Sequence, residues 1–241
     1  MKKSNLIFFS GAGLSAPSGI PTFRDSEDGL WYNYDVNVVC DYNVWNKNFK
    51  IVHDFYNQRR SSIINVKPNE AHYMIAGWQG RYPYTKIQTQ NVDKLLESAG
   101  CVDVVHLHGE IDQMKCLSCR NIWTIGNTNW DINTDVCPKC NGSTNVKPAV
   151  IFFNESAPNY VHYYEMLTNL REDDIIVVIG TSGEVLQISE DLRYKKCLKI
   201  LNNREPCDFI DHTLFDHVFF ESAESAASKI SMVLESIIEL R

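Results

Sequence analysis

Five short stretches of this chain carry residue types suited to binding or transforming a nucleotide, and each follows an apolar run. In "SGAGLSAPSGIPTFRD" (Ser10–Asp25), Gly11, Gly13 and Ala16 meet the G-x-G-x-x-G/A spacing that lets backbone N–H groups approach a pyrophosphate. A long helix should follow such a turn, yet Pro17, Gly19 and Pro21 forbid one. In "TQNVD" (Thr89–Asp93), Gln90, Asn91 and Asp93 can hydrogen-bond ribose hydroxyls or a carboxamide; the competing reading is helix capping by Asn91 or Asp93. "HLHGE" (His106–Glu110) offers two histidines that strand alternation sends to one face. His108 is nearer the strand end, and the glycine after it lets backbone approach a ligand. "VVIGTS" (Val177–Ser182) ends in small hydroxyl residues suited to phosphate, and "LNNREP" (Leu201–Pro206) is another polar strand end. Any one of these reads equally well as turn residues. Their shared place at carboxyl ends of apolar runs, where open parallel sheets bind ligands, points to one nucleotide site.

A different chemistry sits in "CLSC" and "CPKC". Cys116, Cys119, Cys137 and Cys140 form two C-x-x-C pairs with 17 residues between them, inside the spacing expected of a zinc site. Four thiolates fill a tetrahedral zinc and leave no position for water, so one structural Zn2+ is expected. The remaining thiols, Cys40, Cys101, Cys197 and Cys207, are scattered singly and read as buried or incidental.

These residues must be positioned by something. Strands are predicted over 5–9, 84–89, 102–107, 149–153, 174–180, 197–201 and 217–220, several of them continuously apolar, as in a parallel sheet covered on both faces. Helical patterns near 44–64, 68–79, 92–99, 158–170 and 222–236 alternate with them. The expected fold class is α/β, a doubly wound Rossmann-like parallel sheet with a small inserted zinc-ribbon and helical module. Residues 1–30, 80–111 and 148–241 would form the nucleotide-binding domain, 31–79 a helical insertion and 112–147 the zinc ribbon.

The 241 residues suffice for one large domain with an insert; 44% hydrophobic and 22% charged content is ordinary for a globular protein with a real core. A net charge of -7 argues against broad attraction to nucleic acid or anionic membrane, and no apolar run is long enough to span a bilayer. The N-terminal "MKKSNLIFF" is too short an apolar run for a signal peptide, so a cytoplasmic location is expected.

In order along the chain, "GAGLSAPSGIPTFRD", "GLW", "KPNEAHYMIA", "QNVD", "HLHG", the two C-x-x-C pairs and "GTS" resemble the sirtuin family over nearly the whole sequence. The resemblance explains the prolines: in sirtuins the residues after the glycine turn form a mobile loop that closes over NAD. It implies NAD-dependent removal of acyl groups from lysine, with NAD as co-substrate. Gly11, Ala12, Gly13, Ser15, Phe23 and Arg24 would surround NAD from the loop, Phe23 shielding the reactive sugar carbon from water. Asn91 and Asp93 would hold the nicotinamide ribose and carboxamide, with Gln90 and Val92 beside them in the NAD site. Gly180, Thr181 and Ser182 would bind phosphate and ribose, and Asn203, Arg204, Glu205 and Ala223 would border the adenosine. His108 matches the family's general base, an imidazole whose pKa near neutrality suits proton removal from a ribose hydroxyl. Products would be nicotinamide, O-acyl-ADP-ribose and free lysine.

"HDFYNQRR" (His53–Arg60) resembles the Tyr-x-x-Arg pair of the bacterial and mitochondrial class that accepts acidic acyl groups. Tyr56 and Arg59 lie three apart on one helix face, where a phenol and a guanidinium can bind a carboxylate; the bland alternatives are a packed tyrosine and a solvated arginine. Arg60 reads as a surface residue. Succinyl-, malonyl- or glutaryl-lysine side chains of proteins, beside acetyl-lysine, are thus the expected partners, with no nucleic acid or membrane, and a monomer is expected. Two departures stand out. Asn154 occupies the glycine position of the family's Phe-Gly-Glu stretch, a place that pairs with substrate peptide, and asparagine tolerates unusual backbone angles. After "GTS" the usual apolar run becomes "GEVLQISED", with Glu184 and no proline at the expected place, in a segment that in the family forms the other side of the peptide groove. They leave open an NAD hydrolase or ADP-ribosyltransferase on the same fold, and a zinc-ribbon module that senses NAD without turnover. An ordinary dehydrogenase is disfavoured by the broken first helix.

Overall fold

A computed structural model of the chain describes residues 4–22 and 34–239. In chain order the elements are β1 (Leu6–Ser10), α1 (Val36–Val39), α2 (Phe49–Ile63), α3 (Glu70–Arg81), β2 (Thr85–Thr89), α4 (Leu95–Ser98), β3 (Val105–His106), β4 (Gly109–Cys116), β5 (Ile122–Thr124) and β6 (Val146–Val150), followed by α5 (Tyr160–Asn169), β7 (Ile175–Ile179), α6 (Ile188–Asp191), β8 (Leu198–Asn203), β9 (His217–Phe220) and α7 (Ala223–Glu239). They fall into two compact units. The first comprises Met1–Ile20, Lys67–Leu107 and Asn159–Arg241, and the second Pro21–Val66 and His108–Pro158.

The first unit is built on a six-stranded sheet in the order β3-β2-β1-β7-β8-β9, every pair parallel. Each residue of β1 and β7 is buried because both faces are covered, which is why these strands read as continuous apolar runs. Leu6, Phe8, Ile87, Ile175, Val177 and Ile179 face Ile75 and Trp78 of α3 and Ala226, Ile230 and Leu234 of α7. The alternate residues Ile7, Phe9, Ile176 and Val178 face Tyr163 and Leu167 of α5 and Ile188 of α6. Strand order reverses between β1 and β7, and the crevice at the carboxyl ends of such a pair is where doubly wound sheets place ligands. Among the described residues, no helix is long and apolar enough to cross a membrane.

The second unit holds a small antiparallel sheet, β5-β4-β6, with α1 and α2. The apolar run predicted as a core strand at 149–153 departs from expectation here. The strand is Val146–Val150, and it belongs to this second sheet, paired with β4. Beyond it the chain forms only an isolated bridge between Asp41 and Phe153. Arg60 is the second departure, because its side chain is fully buried. The guanidinium donates to the carbonyls of Thr128 (3.2 Å) and Ile111 (3.2 Å) and to Asn57 Oδ1 (2.5 Å). Asn57 in turn binds both the N–H and the carbonyl of Trp130, each at 2.9 Å. One turn of α2 thus clips two passing backbones whose polar groups would otherwise be buried unpaired.

Candidate functional site

The glycines after β1 and β7 require one another. Gly11 N–H donates to the Ile179 carbonyl (2.9 Å) and Gly13 N–H to the Gly180 carbonyl (2.8 Å). A Cβ on Gly13 would come within 2.6 Å of Gly180 Cα, and one on Gly11 within 2.8 Å of the Gly180 carbonyl oxygen. Gly180 itself has φ +62°, the left-handed region that glycine enters at little cost. The two loops therefore pack backbone to backbone at the switch point. The chain then makes two short 3-10 turns, Ala12–Leu14 and Ala16–Ser18, with Pro17 in the first turn of the second and Gly19 ending it at φ +94°. The prolines replace a helix with tight turns, as the sequence required. Phe23 and Arg24 lie outside the described residues, as does "GLW".

Around this loop the polar residues form one connected network. Ser15, buried, accepts from Asn91 Nδ2 (3.1 Å) and meets His72 Nε2 (3.4 Å). Ser10 donates to Thr89 (2.9 Å), and Thr89 accepts the Asn91 N–H (3.1 Å), so the ends of β1 and β2 are tied to the following loop. Gln90 donates to Thr181 Oγ1 (2.9 Å), and Asn203 Nδ2 donates to the Thr181 carbonyl (2.9 Å). Asp93 Oδ1 accepts the Leu95 N–H (3.1 Å), which ties the carboxylate to the turn that leads into α4, one residue ahead of the N-cap position held by Lys94. Asp93 is nearly buried, and burial pushes its carboxyl above the usual range against hydrogen bonds from Leu95 and Ser15 and the charge of His106. Val92 and Ser182 are half-buried, Ala12, Arg204 and Glu205 are exposed, and Ala223 packs its methyl into the core beside α3.

The two histidines of "HLHG" have separate fates. β3 ends at His106, and Leu107–His108 form a turn, so strand alternation no longer governs them. His106 is buried with both ring nitrogens hydrogen-bonded, to the Asn91 carbonyl (2.8 Å) and Glu97 Oε1 (2.7 Å). His108 is half-buried and opens the second unit, its carbonyl accepting the Ile151 N–H (2.8 Å). Gly109 serves the chain rather than a ligand: at φ +77° it backs onto the Ala149 carbonyl so closely that a Cβ would collide with it.

Within the second unit, Tyr56 is fully buried, its ring stacked on Phe152 (5.6 Å, 20°) and its hydroxyl 3.3 Å from Cys40 Sγ. Burial raises the phenol well above its ordinary pKa, so it keeps its proton and remains a donor. Arg59, half-buried, lies with its guanidinium 5.9 Å from the Phe55 ring and lowers the Tyr56 pKa electrostatically. Sequence reasoning missed Lys147. Fully buried, it donates to the Val150 carbonyl (2.7 Å) and Glu155 Oε2 (3.0 Å), with its ammonium 3.9 Å from the Phe152 ring centroid. Burial lowers its pKa to about 8, Glu155 opposing. Glu155 also pairs with Lys115 (3.2 Å) and accepts the Phe152 N–H (3.0 Å). This charge cluster fixes the "FFNES" turn, in which Asn154 has φ +63° and so occupies the left-handed conformation that a glycine would take. Glu184, after β7, is exposed.

The four paired cysteines converge, with all Sγ atoms within 4.8 Å of one another. Cys116–Cys140 and Cys119–Cys137 stand at 3.6 Å, close to the roughly 3.8 Å edge of a tetrahedron with 2.3 Å zinc–sulfur bonds. The two knuckles repeat one geometry. Cys116 N–H donates to the Asn121 carbonyl and Cys137 N–H to the Gly142 carbonyl, each at 2.8 Å, and Arg120 and Asn141 turn the chain with positive φ. Four soft thiolates in this arrangement fit zinc.

Comparison with known proteins decides the family. The model of the Sir2 family matches residues 11–187. The chain belongs to the Sir2 family. Among its Sir2 relatives, an NAD-dependent protein deacylase of Helicobacter hepaticus is 40% identical, with 95% of this chain and 97% of that protein covered. One of Campylobacter jejuni is 42% identical over 98% of this chain and 97% of its own. Among solved structures, a mutant Sir2 homologue in complex with ADP-ribose superposes with a TM-score of 0.84 at 28% identity, covering 100% of this chain and 95% of that one. A Sir2 homologue–NAD complex gives 0.82 at 29% identity, with 98% and 91% covered. This Sir2 chain thus shares its fold with these proteins over more than nine-tenths of their length.

Proposed function

We propose that this chain is an NAD-dependent protein lysine deacylase that accepts acidic acyl groups beside acetyl, giving nicotinamide, O-acyl-ADP-ribose and free lysine. The observation that carries the reading is the paired glycine crossing of Gly11 and Gly13 with Gly180, bordered by the Ser15–Asn91 and Gln90–Thr181 hydrogen bonds, in a chain of the Sir2 family. Relatives named as NAD-dependent protein deacylases, and a Sir2 homologue solved with NAD, support it.

NAD as co-substrate supplies a glycosidic bond whose cleavage drives the transfer. Backbone N–H groups of the glycine loop and the Thr181 and Ser182 segment would receive its phosphates, since amides held in tight turns make an anion cradle. Asn91 and Asp93 would orient the nicotinamide side, and Asn203, Arg204 and Glu205 the adenosine. His108, half-buried at a turn, would take the proton from a ribose hydroxyl. Tyr56 and Arg59 would read a terminal carboxylate on the acyl chain, the phenol donating one hydrogen bond and the guanidinium supplying charge. Residues 112–147 would act as a zinc ribbon whose Zn2+, held by Cys116, Cys119, Cys137 and Cys140, is structural. The enzyme would work as a cytoplasmic monomer on acylated lysines of proteins.

Arg59→Met tests the acyl assignment. It removes the charge and keeps much of the packing, so kcat/KM for a succinyl-lysine peptide should fall at least tenfold, the worth of a charge-assisted hydrogen bond, while deacetylation changes less than about threefold. Equal losses on both peptides would remove the carboxylate role.

A further inference from the structure

His106 does something that the general-base assignment leaves unused. Its side chain is 4% exposed, and both nitrogens face acceptors. The Asn91 carbonyl at 2.8 Å has no proton to give, so Nδ1 carries the hydrogen of that bond. At Nε2 stands Glu97 Oε1, 2.7 Å away. Burial pushes the Glu97 carboxyl up, but the hydrogen bond and charge of His106, with the backbone N–H of Glu97 and the charge of Lys94 behind them, hold it below the usual carboxylate range. Glu97 is thus the acceptor, Nε2 carries a hydrogen too, and a ring that donates from both nitrogens is an imidazolium. The other Glu97 oxygen, Oε2, is buried without a hydrogen-bond partner among the described residues, so the bond from His106 is the side-chain hydrogen bond that this carboxylate accepts.

The two bonds grip both ends of one loop. Asn91 opens the segment after β2, and Glu97 lies on α4, with Asp93 between them accepting the Leu95 N–H at the start of that helix. Asp93 also feels the charge of His106, which opposes the tendency of burial to protonate it. Lys94 and Cys101 are the other titratable groups within electrostatic reach of Glu97, and Asn159 fixes the His106 backbone by donating to its carbonyl (2.8 Å) without adding charge.

We propose that His106 is a positioning residue for the NAD-binding loop: an imidazolium clamped between the Asn91 carbonyl and Glu97, it fixes the side chains of Asn91 and Asp93 in the orientation that receives the nicotinamide ribose and carboxamide. The proposal rests on the reading of Asn91 and Asp93 as NAD contacts. His106→Leu removes both donors and should raise KM for NAD on the order of tenfold, with kcat changed much less. Glu97→Gln is the conservative variant. Its amide can donate to Nε2 while Nδ1–H still bonds Asn91, so the loop keeps both bonds with a neutral ring, and KM for NAD should stay within about threefold of the parent.

Nitrogen-15 NMR of the imidazole in the full chain at pH 7 gives a readout independent of turnover: two N–H groups in the parent, one in Glu97→Gln. A single N–H in the parent, or a His106→Leu protein with parental KM for NAD, overturns the proposal; if His106→Leu does not fold, the NMR result decides. Asn91→Ala separates the two levels. If it leaves KM for NAD unchanged, the loop reading itself fails; if it raises KM while His106→Leu does not, only the role of His106 fails.

Discussion

Arg59 and Arg60 are adjacent in sequence and opposite in consequence. The first is half-buried near the Tyr56 phenol; the second is sealed inside the second unit with three hydrogen bonds. Burial lowers the Arg60 pKa to about 10, which still leaves it charged at neutral pH, with Asp112 supporting the charge. Arg60→Leu should therefore destabilise the protein by about 2–4 kcal/mol, because it strands the Ile111 and Thr128 carbonyls. Urea unfolding of Arg60→Leu beside Arg59→Met would check this; equal midpoints would contradict the clip. A helix pattern does not distinguish these two arginines, because the groups that Arg60 satisfies come from residues 111 and 128, far along the chain. The same limit hid Lys147, whose partner Glu155 makes sense of a buried ammonium only once the "FFNES" turn has formed. The glycines and cysteines were legible for the converse reason: their spacing within a few residues already fixes the local geometry.

At the scale of elements, the parallel sheet could be read because burial on both faces writes a continuous apolar run into each central strand. β4 could not. Its pairing with β6 shifts register between Gly109 and Met114, so the buried positions Ile111, Met114 and Cys116 lose the period of two that marks a half-buried strand. The run at 149–153 misled because an apolar window records burial and says nothing of which sheet provides it. The cysteine knuckles close the small sheet, and Cys116 and Cys137 pack with Met114, Trp130 and Val146 in a separate cluster. That cluster is small, so the metal should carry much of its stability. Cys137→Ser is expected to lose the bound zinc and to expose Trp130 to water. Elemental analysis with tryptophan fluorescence would show about one zinc per parent chain and a red-shifted variant; a metal-free parent with native fluorescence would contradict it.

Over the whole molecule, two buried histidines set the acid limit of stability, one in each unit. His53 in α2 and His72 in α3 are each lowered to about 4, chiefly by burial, from an ordinary 6.5. His72 accepts the Asn69 N–H (3.2 Å) at Nδ1, and His53 Nε2 meets the Val146 carbonyl (3.0 Å), bonds that the neutral rings make. Between pH 6.5 and 4 the unfolded chain takes up protons at these sites and the folded chain does not. Stability should then fall as pH falls, by roughly 1.4 kcal/mol per pH unit for each ring in that window. Urea midpoints at pH 7.5, 6 and 5 would read this, and a flat profile would show that the rings charge without cost.

The central proposal for the whole chain is NAD chemistry that depends on an acylated lysine. The most direct measurement is nicotinamide release from NAD by the purified protein with no peptide, with acetyl-lysine peptide and with succinyl-lysine peptide. A deacylase that reads acidic acyl groups predicts release that depends on peptide and is fastest with the succinyl form. Equal release without any peptide would contradict it and make the chain an NAD hydrolase on the same fold.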